Sequence, residues 1–447
     1  MPYLYHTEEE IEQMLRTLGL GSVDELFELI PEPLRLDEPL SIGKGLPEFE
    51  TIQYFAALAR KNEAASGMTS FLGGGVYDHV IPSIVNHLSS RSEFYTAYTP
   101  YQPEVSQGTL QAIFEFQTLI SRLTALPVAN ASMYDGATAF AESALMATKI
   151  TRRSELLCGE NVNPRYRAVL STYAGGRDIK ITTIPTGANG DIEPPTVLEA
   201  LHDGVAAVLL QTPNYFGILE RPWEYREAVK ESGALLIVSV DPVSLSLFKP
   251  PGAYGADIAV GEGQSLGNAM NFGGPLVGFM ACRKEFVRSL PGRLVSRTTD
   301  LDGKTAYVLT LQTREQHIRR EKATSNICTN QGLLALRSTI YLSIVGKAGF
   351  QEMGKLCHAK AHRLSKMIEE CDGYSLRFGG PFFREFVVRC PVDAAAVVDA
   401  ARRRCVLAGI ALGERFGKEA RNDLLVAVTE KRTDEDLEKF CKILRDV

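Results

Sequence analysis

The chain of 447 residues contains no Cys-x-x-Cys pair. Its eight cysteines, at 158, 282, 328, 357, 371, 390, 405 and 441, are scattered. That spacing argues against a disulfide framework or a zinc ribbon and for a reduced, cytoplasmic protein. No apolar run approaches the roughly 18 to 20 residues of a membrane span. Basic residues are not in excess: 48 Lys and Arg stand against 54 Asp and Glu, a net charge of −6. A broad nucleic-acid footprint, which needs a basic face, is therefore not expected. Residues 1–20 have no basic n-region and carry Glu8, Glu9 and Glu10, so they read as neither signal nor transit peptide. Gly73-Gly74-Gly75 lacks the Gly-Lys-Ser/Thr ending of a P-loop, and no Gly-x-Ser-x-Gly elbow occurs. His358 and His362 are four apart beside Cys357, but Ala359 stands where the hydrolytic zinc motif has Glu. This reads as a helix surface without metal.

The 45% apolar and 23% charged residues are globular values, and the length suggests two or three units. Residues 1–65 read as a helical arm that lies across another surface. Thr7 and Glu10 form a capping box before Ile11, Met14, Leu15 and Leu18 at helical spacing. Pro31, Pro33, Pro39 and Pro47 then break the chain before a second helix near 49–61. Residues 66–325 alternate helices with short apolar runs, at 155–157, 179–184, 206–211, 235–240, 258–261 and 276–281. Such runs, with helices such as 137–150 and 223–230 between them, indicate a large α/β domain with a buried, mostly parallel sheet. Residues 326–447 read as a smaller α+β domain: a long helix, strands at 383–390 and 424–428, and a last helix from Thr433 with Leu437, Phe440, Cys441 and Leu444 on one face.

Asp241 directly follows the 235–240 strand. A carboxylate at that strand end faces the ligand crevice of an open α/β sheet and can pair with a protonated ring nitrogen, as pyridoxal phosphate enzymes require. An Asp that merely starts a turn before Pro242 is the plainer alternative. Asp135-Gly-Ala-Thr138 precedes a helix, and its free N–H groups suit a phosphate, though an ordinary N-cap looks the same. The order is that of fold-type I: a phosphate-type turn, a strand ending in Asp, then a strand before a Gly-rich loop. The Schiff-base lysine should follow that last strand. Residues 257–267 contain none, and no lysine lies between Lys249 and Lys284. Gln264 and Ser265 cannot supply the amine that an imine needs.

Two further segments stand out. Tyr95 to Gly108 places Tyr95, Tyr98, Tyr101 and Gln102 on a proline-stiffened loop suited to a small zwitterion or a partner surface, or to simple packing. Thr313 to Asn326 alternates charge sign, which is the pattern of a solvated helix face, and its Arg319 or Arg320 can hold a carboxylate or phosphate.

With the runs Tyr98-Thr-Pro-Tyr-Gln-Pro-Glu-Val-Ser-Gln-Gly108, Ala129-Asn-Ala-Ser132 and Arg314-Glu-Gln-His-Ile-Arg-Arg-Glu-Lys-Ala-Thr-Ser-Asn-Ile-Cys328, the chain resembles the P-protein family of the glycine cleavage system. The likeness is to its N-terminal half, in some bacteria and archaea a separate polypeptide, subunit 1. The resemblance implies a fold-type I pyridoxal-phosphate-dependent transferase-like fold in which only the other half keeps the lysine, with Ser265 in the vacated lysine slot and Gln264 in the preceding histidine slot. It implies glycine decarboxylation on pyridoxal phosphate held covalently by subunit 2, in a heterodimer or dimer of heterodimers. The aminomethyl group then passes to the lipoyl arm of the H-protein. It also implies a shared active site with Tyr95, Tyr98, Tyr101 and Gln102 on its wall and Gly273 and Gly274 near the partner's cofactor phosphate. A purely structural subunit and a self-sufficient enzyme with a displaced lysine remain the alternatives.

Overall fold

The computed structural model describes residues 5–36, 40–271 and 274–447. Pro39 and Gly273, both singled out above, lie outside the described residues. The chain divides into Met1–Glu63 and Ala64–Val447. In the first unit the capping box forms: the Glu10 backbone N–H donates to Thr7 Oγ1 at 3.3 Å, and the Thr7 N–H donates to the Glu10 carboxylate at 2.8 Å. The helix Glu8–Leu18 that it starts ends at Gly19, whose φ of 71° lies in the left-handed region that favours glycine. A second helix spans Glu48–Ala59.

The second unit is built on a seven-stranded sheet. Its strands are β1 (Val128–Ala129), β2 (Glu155–Gly159), β3 (Lys180–Ile184), β4 (Val205–Thr212), β5 (Leu235–Val240), β6 (Ile258–Glu262) and β7 (Gly278–Cys282). They lie in the order β1-β7-β6-β5-β4-β2-β3, and only β7 runs against its neighbours. The continuous apolar runs are buried on both faces, as a parallel sheet requires. Leu236, Val238 and Val240 point to one core with Phe116 and Ile120, while Leu235 and Ile237 point to another with Ala139, Phe140 and Ala144. The helix carrying those last three, Gly136–Thr151, is buried along most of its length. Its small residues are the reason it can seat against the strands.

A four-stranded antiparallel sheet follows, Ser375–Leu376, Glu385–Arg389, Asp423–Ala427 and Ile410–Ala411. It packs with the helix Asp434–Arg445, whose capping box pairs Thr433 with Asp436. The helix Gly332–Glu369 is long and apolar enough to cross a membrane by length and composition alone, contrary to the sequence reading. Its backbone is interrupted at Gly346, and Ala335, Tyr341 and Leu342 belong to the sheet's core. Arg337 on the same helix bonds to Ser89 and Asn86.

Two expectations from the sequence are corrected. The alternating-charge segment is not one helix: a single turn, Gln316–Arg319, lies between 3₁₀ turns, and Arg320 has φ 53°. Without an apolar stripe the segment has nothing to bury as a helix. His358 and His362 are half-buried, and their rings bond the carbonyls of Phe383 and Phe382 at 3.1 Å each. They join the long helix to residues 382–383 instead of forming an open helix surface. The helix Gln107–Thr124 and the hairpin Leu294–Thr299/Thr305–Thr310 had no counterpart in the sequence reading. The hairpin's Asp302-Gly303 turn, with Gly303 at φ 77°, is the signal that marks it.

The join between the two sheets leaves no room at Gly217. A Cβ there would fall 1.7 Å from the Glu385 carbonyl oxygen, and its φ is +84°. Gly417 has nearly the same φ, +83°, with no atom within 4 Å. Replacing Gly417 by Ala should cost the left-handed backbone alone, about 1 to 2 kcal/mol. Gly217→Ala should cost more, and should split the two sheets' registers. Urea unfolding of both variants measures the difference; equal losses would mean the contact relaxes freely.

Candidate active site

The C-terminal ends of β4, β5 and β6 bring Gln211, Asp241 and Glu262 around one cavity, where an open α/β sheet binds ligands. Asp241 both caps a turn and forms an ion pair. One carboxylate oxygen accepts from the Val243 N–H at 3.0 Å, and the other lies 2.7 Å from the Arg384 guanidinium. Arg384 precedes the strand Glu385–Arg389 and is only 1% exposed. Its guanidinium carbon lies 3.7 Å from the centroid of the Tyr77 ring. A second N–H reaches Ser265 Oγ at 3.4 Å, so the vacated lysine slot faces an arginine.

Arg384 also donates to His79 Nε2. With Nε2 accepting, Nδ1 carries the hydrogen and donates to Glu430 at 2.7 Å. Cys357 Sγ donates to the same carboxylate oxygen at 3.4 Å. His79, Cys357 and Glu430 offer three possible metal ligands within 4.8 Å of one another. A guanidinium against the histidine makes this a holder for Arg384, because a second cation there would be repelled.

Gln264, in the histidine slot, is buried and ties the covering loop to the sheet. It accepts from the Tyr77 N–H at 2.9 Å and donates to the Tyr77 and Asn268 carbonyls. The Gly73–Gly75 run has a structural reason: a Cβ on Gly73 would fall 2.0 Å from a Glu385 carboxylate oxygen. That carboxylate accepts from the Gly74 N–H at 2.7 Å and from the Tyr77 hydroxyl at 2.9 Å. Burial pushes Glu385 up to about 7 despite these donors and the nearby Arg384. Burial likewise pushes Glu262 up to about 8. Its two oxygens accept from the backbone N–H groups of Gly136, Gln264 and Val277.

The residues of this cavity do not fit pyridoxal phosphate. Arg384 holds the carboxylate that a ring nitrogen needs, Glu262 holds the first N–H of the phosphate-type turn, and no amine is present. The space left is about 30 Å³, room for water and not for a six-membered ring. Lys249 is exposed and lines a neighbouring apolar pocket with Trp223 and Phe248.

The tyrosine loop forms a separate place. Tyr95 ends the short helix Ser92–Tyr95, and Tyr95 and Tyr98 line a pocket of about 200 Å³ with Asn330 and Leu333. Tyr98 is 87% exposed, and Gln102 is exposed too. Tyr101 is anchored: buried Arg293 donates to its hydroxyl at 3.2 Å and also to the Cys328 carbonyl and Asn330. Among the described residues no carboxylate lies within ion-pair distance of Arg293. Arg319 and Arg320 are exposed and do not line either pocket. Gly274, at φ 101°, precedes β7.

Arg293, Arg384, Glu262 and Glu385 escaped the sequence reading. Arg384-Glu385 within the apolar run Phe382-Phe-Arg-Glu-Phe-Val-Val388 was the available signal, since charges inside a strand are buried only when paired.

The family model of the glycine cleavage system P-protein matches residues 1–444. A protein of Desulfitobacterium hafniense named probable glycine dehydrogenase (decarboxylating) subunit 1 is 50% identical over 440 residues, 98% of each chain. A namesake from Moorella thermoacetica is 50% identical over 451 residues, covering both chains entirely. The crystal structure of glycine decarboxylase (P-protein) of the glycine cleavage system, in inhibitor-bound form, matches at 45% identity over all of both chains, with a TM-score of 0.90. Glutamate decarboxylase of Lactobacillus brevis matches over 94% of this chain and 96% of its own with a TM-score of 0.69, at 12% identity, a likeness of fold alone.

Glu385 generates a pH dependence. Between its ordinary value of 4.5 and about 7, the native chain holds a proton that the unfolded chain releases. Its contribution to stability is therefore complete below 4.5 and is lost as pH rises through about 7. Glu385→Gln keeps the acceptor for Gly74 and cannot ionise. Relative to wild type it should gain stability between pH 5 and pH 8, by up to about 3 kcal/mol at 1.36 kcal/mol per pKa unit. Urea melts at the two pH values test this; parallel pH dependence in both proteins would place the carboxyl's titration in the ordinary range.

Proposed function

The chain belongs to the glycine cleavage system P-protein family, and from that premise we propose that it is the subunit without a Schiff-base lysine, forming one wall of an active site whose cofactor its partner holds. The fold is fold-type I, and the activity is that of glycine dehydrogenase (decarboxylating), which acts with a partner subunit. The observation that carries the reading is Ser265 at the lysine position, with Arg384 against it and Asp241 already paired. Pyridoxal phosphate supplies the electron sink for decarboxylation when bound. In this reading subunit 2 binds it, the lipoyl arm of the H-protein accepts the aminomethyl group, and Gly274 lies toward the partner's cofactor phosphate.

This chain's own task is to recognise glycine and exclude water. Glycine offers little surface, so a few placed polar groups must do the recognition. Arg293 donates into the Tyr101 hydroxyl oxygen, which leaves that phenol's hydrogen free to point at an anion such as a carboxylate. Tyr95, Tyr98 and Gln102 stand exposed beside it, ready to be covered by a partner. A purely structural subunit would leave the same phenols as interface packing.

Two measurements check this. Borohydride reduction of the assembled complex with pyridoxal phosphate should label the partner chain alone. A stoichiometric label at Lys249 would instead make this chain a cofactor carrier.

Tyr98→Phe should leave the isolated chain's stability unchanged, because its hydroxyl is in solvent. Tyr101→Phe should cost about 1 kcal/mol, since Arg293 loses one acceptor. In the complex each should lower kcat/KM for glycine–bicarbonate exchange by about 10- to 150-fold, the equivalent of one hydrogen bond to a charged group at about 1.5 to 3 kcal/mol. Wild-type exchange by both variants, with assembly intact, would leave the loop as packing and favour the structural reading.

A further inference from the structure

We infer that the cavity at the end of the sheet is a former cofactor site closed by the protein's own side chains: the Arg384 guanidinium takes the ring nitrogen's place on Asp241, and the Glu262 carboxyl takes the phosphate's place at the start of the 136–151 helix. The inference rests on the reading that the partner carries the lysine, and goes beyond it. Losing a lysine alone would leave an open cleft with an unpaired carboxylate and a free helix N-terminus. Both are expensive to bury without a partner.

Each vacated contact has an internal replacement. A planar cation lies 2.7 Å from Asp241. The Tyr77 ring stacks on that cation at 3.7 Å, as an aromatic side chain would on a cofactor ring. The Gly136 N–H, first of the phosphate-type turn, donates to Glu262 at 2.9 Å. The remaining space of about 30 Å³ admits no ring. Arg384 is not a mobile lid. It is 1% exposed, and His79 holds it, itself bonded to Glu430.

The inference makes the site latent, so that an amine alone should not restore it. The test uses the full chain assembled with its partner, whose own labelled lysine is the internal control. Ser265→Lys and Ser265→Lys/Arg384→Ala are each incubated with pyridoxal phosphate and reduced with borohydride. The introduced amine condenses with the aldehyde and releases water, and borohydride hydride then fixes the C=N bond as a secondary amine. Peptide mapping should find residue 265 unlabelled in Ser265→Lys, with at least about tenfold more label in the double variant. Label at 265 in Ser265→Lys equal to the partner's, or none in a folded double variant, would overturn the inference. Label on the unmodified chain would instead overturn the assignment of the cofactor to the partner, so the two failures are distinct.

A double-mutant cycle covers the case in which the Arg384→Ala chain does not fold. Asp241→Asn and Arg384→Met should each lower the thermal midpoint, and the two together should lower it by less than the sum. Strictly additive losses would mean that Arg384 does not stand in for a cation on Asp241, and would overturn the inference.

Discussion

A single ion pair, buried Arg384 with partly buried Asp241, organises the functional end of the molecule. The two charges come from the two different sheets of the second unit, one from the tip of β5 and one from the start of the strand Glu385–Arg389. Neither can be buried alone, because an uncompensated interior charge costs about 3 to 5 kcal/mol. The pair therefore requires the small antiparallel sheet to sit over the ends of the parallel one. The Gly217 backbone lies against the Glu385 carbonyl, so that seating leaves no slack.

The loop at 73–80 depends on the same pair. Tyr77 covers the guanidinium with its ring, donates its hydroxyl to Glu385, and bonds through its backbone N–H and carbonyl to the Gln264 side-chain amide. Gly73 on this loop is needed for close approach, because a Cβ there would fall 2.0 Å from a Glu385 carboxylate oxygen. His79 on the same loop carries the guanidinium's remaining contact through to Glu430 and the long helix's Cys357. Three other chain segments thus touch this cation: the loop through Tyr77 and His79, the tip of β5 at Asp241, and Ser265. The three N–H donors gathered by Glu262 hold the neighbouring strand end and helix start together in the same way.

The molecule closes one site while it leaves another open. Around Asp241 nearly every polar atom has an internal partner, and little space remains. At the tyrosine loop, Tyr95 and Tyr98 stand in solvent and Tyr101 is held from behind by Arg293, which has no carboxylate within ion-pair distance among the described residues. That contrast suits a subunit whose own cavity has become core and whose remaining chemistry lies on a face that another chain completes.

Much of this was legible in the residues. Continuous apolar runs separated by helices specified the parallel sheet, because burial on both faces leaves no polar alternation. The Thr7–Glu10 capping box located one helix start, because the groups that satisfy a helix end are three residues away in the chain, and the start at Thr433 was read correctly too. The empty lysine position was visible as well, since an imine needs an amine and 257–267 has none. What replaced the cofactor was not legible. Asp241 and Arg384 are separated by more than a hundred residues, and although Arg384-Glu385 inside an apolar run signals paired charges, nothing along the chain names their partners. The alternating-charge segment failed as a helix for a related reason: local charge pattern says what a helix would expose, and only packing says whether there is anything for it to cover. The sequence by itself determined the apolar runs that become the parallel strands, the helix starts and the missing amine, all of which depend on neighbours within a few residues. Only the tertiary structure decided which distant charge would fill the space left behind, because a buried charge is stabilised by contacts in space and not by its neighbours along the chain.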